Sequence, residues 1–115
     1  MTVSQTPRSP VPREVSTELE RVVQRWHQLP LDRALSYADR VHALVQTLAD
    51  QVAEATGVAA SEVPDCGPVT LMDQLIVLVY DASVAASSTG TTAPTSTALT
   101  SALGRDLASL RSELR

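Results

Sequence analysis

At 115 residues the chain is long enough for one domain with a real core, since a domain of this size buries roughly two-thirds of its unfolded surface. The formal net charge is −4 and all nine basic residues are arginine, so no basic run reads along the chain and nucleic-acid binding is not expected. A single cysteine, Cys66, excludes an internal disulfide framework and any multi-cysteine metal site.

The apolar residues are unusual in kind. There is no Phe, one Trp (Trp26) and two Tyr (Tyr37, Tyr80), so the core has to be built from Leu, Val and Ala. Lys, Asn and Phe are all absent. That is a shortage of residues with A/T-rich codons, which points to a GC-rich bacterial genome and removes any need to explain the missing Lys by function. Residues 1–15 contain no apolar run of the kind a secretory signal needs, and the expected location is the cytoplasm.

Residues 1–12 carry Pro7, Pro10 and Pro12 among Ser, Thr and Gln and read as a disordered N-terminal tail; residues 13–115 read as a single helical domain. Val15, Leu19, Val22, Trp26 and Leu29 recur at steps of three and four, which predicts a first helix over about 14–28, ended by Pro30. Ala34, Ala38, Val41, Leu44, Val45, Leu48, Val52 and Ala55 predict a second helix over 31–56, closed by Gly57. Residues 58–68 read as a turn-rich connector with Pro64, Gly67 and Pro68; Ala59–Val63 has room for one helical turn.

Val69 to Ala86 is the most apolar stretch, interrupted only by Asp73, Gln74 and Asp81 among strongly polar groups. A helix that is apolar almost all round has to be covered by others, so this third helix, over 69–86, is expected at the centre of the bundle, with Thr70 and Asp73 at capping-box spacing. Its polar groups, and the lack of flanking Arg or aromatic residues, argue against a membrane span. The run 87–97, rich in Ser and Thr, reads as a flexible linker. Leu99, Leu103, Leu107, Leu110 and Leu114 then predict a fourth helix over 97–114, weakened by Gly104. The expected fold is all-α: a small antiparallel four-helix bundle.

No catalytic or cofactor motif stands out. Asp73 and Asp81 on the third helix, with Tyr80 and His42, form the one candidate polar site. Bundle metal sites draw Glu and ExxH pairs from several helices, and the chain has no ExxH, so no metal and no cofactor is expected. His42 in HALVQT lacks the Lys and small residue that usually follow a phosphotransfer histidine, and is read as an edge-of-core residue. His27 is expected to meet carbonyls at its helix end, and Cys66 in PDCGP to be a passive turn residue. The apolar surplus points to a non-enzymatic interaction module, a homo-oligomer or a binder of another protein. Trp26 and the stripe Leu99, Leu103, Leu107, Leu110, Leu114 are its candidate interface. A small-ligand pocket inside the bundle is the alternative, and phosphotransfer at His42 a remote third.

Overall fold

The computed structural model describes residues 11–88 and 94–114, the side chains of 87–88 and 94–100 apart. Among these residues there are four helices and no strand.

The first helix, α1, spans Arg13–Gln28. Pro12 precedes its first turn and accepts the Ser16 N–H at 2.9 Å. Leu29 is extended, at φ −77° and ψ 140°, as a residue before proline prefers. The chain thus breaks at Pro30 and restarts as α2, Leu31–Thr56. Gly57 stops α2 in the left-handed region at φ 73°, where Val58 N–H reaches back to the Ala53 carbonyl at 3.0 Å. That is the glycine C-cap the sequence predicts.

Residues 58–67 contain no helical turn, contrary to the expectation for Ala59–Val63. Side chains of α2 take the backbone groups that a turn would have paired. Gln46 accepts the Val63 N–H at 2.8 Å and donates to the Ser61 carbonyl at 3.1 Å. His42 Nε2 lies 3.2 Å from the Val63 carbonyl. Held by these side chains, the segment forms no regular structure of its own.

The third helix, α3, spans Pro68–Ser88. Gly67 precedes it at φ 91°, its N–H bound to Asp65 Oδ1 at 3.1 Å. The expected capping box is absent: α3 starts at Pro68, so Thr70 lies inside the first turn and donates its hydroxyl to the Gly67 carbonyl at 3.1 Å. The fourth helix, α4, spans Pro94–Glu113. It begins before the predicted position because Pro94 suits a first helical turn. Of the expected linker, 87–88 and 94–97 are therefore helical, and 89–93 lie outside the described residues, as do 1–10 of the expected tail. Val11 packs against the core.

The helices are not all antiparallel. Along α1 and α4 the meeting points rise together: Val15 lies beside Gly104, Glu18 binds Arg111, and Arg25 binds the Leu114 carbonyl. These two helices run in the same direction. So do α2 and α3. The connector retraces α2 from Gly57 to the level of Gln46 and His42, after which Gln74 reaches Pro64 and Leu78 reaches the hollow beside Ala49, Val52 and Ala53. Extended chain covers about 3.3 Å per residue against 1.5 Å in a helix, so a short connector undoes much of α2's length. Two parallel pairs, α1 with α4 and α2 with α3, are the result, and α3 also packs on α4.

All four helices feed one core. Val22, Val41, Val45, Leu48, Leu75, Val79, Leu107, Leu110 and Leu114 are fully buried, with Trp26 and Met72 beside them. Branched and unbranched aliphatics fill it almost unaided, as the absence of Phe requires.

Candidate functional site: the outer face of the third helix

The third helix is not enclosed. It packs on α2 and α4, while α1 packs on α4, so only one side of α3 is covered. Leu71, Met72, Leu75, Val79, Ala82 and Ala86 make the buried side. On the other side Val69 is 87% exposed, Val77 56%, Tyr80 51%, Ile76 41% and Val84 38%. At about 100° per residue, positions 69, 73, 76, 77, 80 and 84 fall within an arc of roughly 100°. Asp73 is the single charge inside that stripe, and Asp81 flanks it; both are exposed. Exposed apolar patches rimmed by polar groups are the kind of surface on which proteins meet partners or membranes. By length and composition alone, Pro68–Ala86 would also be apolar enough to cross a bilayer.

The polar constellation of the alternative, small-ligand reading does not gather inside the bundle. Asp73, Tyr80 and Asp81 face outward. His42 is half-buried on α2 and holds the connector through Val63. A carbonyl can only accept, so Nε2 is the donor in this contact, and that nitrogen is engaged rather than open to a phosphoryl donor. No group of three or more His, Cys, Asp or Glu suited to a metal occurs among the described residues. Cys66 is an exposed free thiol.

The leucine stripe lies inward. Leu103, Leu107, Leu110 and Leu114 are buried in the chain's own core, and Trp26 is 7% exposed; the Leu99 side chain is outside those described. Among the described residues the largest group of exposed apolar side chains is on α3, with Leu31, Leu35 and Val58 exposed elsewhere. Periodicity found the stripe on α4 but could not say which neighbour would cover it.

Two features have no signal in the sequence. One is the tethered connector, where Gln46, His42 and Gln74 clasp Ser61, Val63 and Pro64; Gln74 Oε1 is buried there with no partner among the described residues. The other is a cleft of about 970 Å³ at the end of the molecule where α1 and α4 finish and α2 begins. Arg21, Arg25, Arg33 and Arg111 line it, with Gln24, Gln28, Leu29, Pro30 and Ser112. Glu18 sits behind two of these guanidiniums, 3.1 Å from Arg21 and 3.0 Å from Arg111. The Arg111 hydrogen bond holds the Glu18 carboxyl below the usual carboxylate range, against the opposing pull of burial. Arg21 and Arg25 are one turn apart on α1, Arg33 joins them across the break at Leu29–Pro30 where α2 begins, and Arg111 joins them because α1 and α4 run in parallel.

In comparisons with known proteins, no family model matches the chain, and neither a curated protein nor a solved structure matches it.

Proposed function

We propose that this protein is a non-enzymatic self-association module that pairs with a second copy through the outer face of α3. The observation behind this reading is the register of the exposed stripe. Positions 69, 73, 76, 77, 80 and 84 are symmetric about the midpoint between Ile76 and Val77. A two-fold contact requires a self-complementary patch, and two antiparallel copies of α3 meet that requirement. Val69 would face Val84 of the second copy, Ile76 would face its Val77, and Asp73 would face its Tyr80. The phenol can donate to the carboxylate, and the two Asp73 groups would stand roughly 10 Å apart along the axis. The charge inside the stripe is thereby matched, whereas a lipid environment would leave it unpaired.

Single-cysteine cross-linking in a Cys66→Ser background tests both the contact and its direction. In the antiparallel pair, Val77→Cys lies about 1.5 Å along the axis from its own copy, and Val69→Cys about 22 Å. Val77→Cys should cross-link under mild oxidation and Val69→Cys should not. Equal cross-linking at both positions would mean a parallel pair. Light scattering that gives a monomer at every concentration would remove the proposal, and recovery of that monomer on floated vesicles would reassign the face to a membrane surface.

A further inference from the structure

The stripe on α3 can meet a second copy of itself in either direction, and its apolar members do not choose between the two. In an antiparallel pair Val69 meets Val84 and Ile76 meets Val77. In a parallel pair each of them meets its own copy, and apolar burial is non-directional in both cases. Two polar members are different. At about 100° per residue, Asp73 and Tyr80 each lie within about 10° of the centre line of the stripe, where a second helix comes closest. The four aliphatic members lie roughly 30° to 50° to either side, and Asp81 about 90° away, at the rim. The third helix contains no Arg, Lys or His. Asp73 is exposed, and its carboxylate makes no ion pair or hydrogen bond among the described residues.

We infer that Asp73 fixes the direction in which two copies pair, an inference that rests on the self-association proposed above. In a parallel pair the two Asp73 residues would stand at one level in the middle of the contact, with Cα atoms roughly 5 Å apart for helices packed at about 9 Å. Ionised carboxylates only accept hydrogen bonds, and α3 offers no cation to place between them. Two like charges leave water there with no donor to receive them, which opposes the arrangement. In an antiparallel pair each carboxylate meets a Tyr80 hydroxyl, which donates, and the two Asp73 groups move roughly 10 Å apart along the axis. That pair also brings each Asp73 within roughly 7 Å of the other copy's Asp81, but Asp81 stays at the wet rim, where charge pairs are worth little. The helix dipoles disfavour a parallel pair as well, though their effect falls off within the end turns. The choice is therefore made at the centre, by whether the carboxylate finds a donor.

The test adds substitutions at position 73 to the full-length single-cysteine reporters Val69→Cys and Val77→Cys, both in the Cys66→Ser background, with cross-linking followed in a mild thiol–disulfide buffer. With Asp73 in place, Val77→Cys should cross-link at least about tenfold more than Val69→Cys, the scale of a lost hydrogen bond to a charged group. An amide both donates and accepts, so Asp73→Asn can pair with its own copy or with Tyr80. In that variant Val69→Cys cross-linking should rise about tenfold, approaching that of Val77→Cys. Asp73→Glu keeps the charge and should keep the direction. Thermal melts check that the variants are folded, as the exposure of Asp73 leads one to expect. If Val77→Cys alone cross-links in Asp73→Asn as it does with Asp73, the direction is set elsewhere in the domain; that overturns the inference and leaves the pairing intact. No cross-link at either position in any of these backgrounds removes the pairing itself, and the inference with it.

Discussion

The two sides of α3 have nearly the same chemistry and opposite surroundings. Leu71, Met72, Leu75, Val79, Ala82 and Ala86 lie against α2 and α4; Val69, Ile76, Val77, Tyr80 and Val84 lie in solvent. Hydrophobicity alone therefore does not say which side of a helix becomes core. Coverage decides it, and α3 has two covering neighbours where its composition asks for more. What remains open is a stripe of apolar surface with one carboxylate in the middle, on a chain whose other buried leucines are already spent.

The sharpest way to break this contrast is to truncate one residue on each side. Leu75→Ala removes a fully buried side chain and should cost about 2–5 kcal/mol, read as a lower denaturation midpoint. Gln46→Ala is the next largest. It strips the Val63 N–H and Ser61 carbonyl of their partner and should cost about 1–2 kcal/mol, with faster amide exchange confined to residues 58–67. If exchange there is unchanged, the tether does not hold α3 in register with α2.

Glu18→Gln probes the α1–α4 pair, remote from α3. The Glu18 carboxyl is held below its ordinary value by Arg111 and Arg21, so its contribution is complete above the unfolded pKa of about 4.3 and fades as pH falls through the lower folded value. Both arginine partners are more than a third exposed, so the effect at neutral pH should be about 0.5–1 kcal/mol. The stabilities of wild type and variant should converge below about pH 4. A gap that stays constant down to pH 3 would place its origin in packing. The smallest change is expected on the open side of α3. Val77→Ser, at a half-exposed position, should alter the stability of the dilute chain by no more than about 0.5 kcal/mol, yet weaken self-association. A loss as large as that of Leu75→Ala would show that the outer face is already covered within the monomer.

Much of the local structure was legible along the chain. Steps of three and four put Val15, Val22 and Trp26 on one side of α1, and Val41, Leu44, Val45 and Leu48 on one side of α2. Pro30 and Gly57 marked breaks where local sterics permit little else. The site was legible only in part. The spacing of Asp73 and Asp81 reads first as a narrow wet face of the helix, and both are exposed; only the alternative of an interior pocket with Tyr80 and His42 is not met, because a polar residue on an apolar helix looks the same from either side. Trp26 reads first as core and is buried, whereas the leucines of α4 read as a surplus and Leu103, Leu107, Leu110 and Leu114 are core.

The sequence by itself determined that the chain is helical, where three of its helices begin or end to within a residue or two, and that the core would be aliphatic, since each of these follows from short-range sterics, periodicity and composition. Only the tertiary structure decided which helices run together. An extended connector retracing α2 under the hold of Gln46 and His42 places α2 alongside α3 in parallel, and that leaves α4 parallel to α1. From those directions follow the bare side of α3 and the meeting of Arg21, Arg25, Arg33 and Arg111 at one end. Both depend on contacts between residues far apart in the chain, which no local pattern encodes.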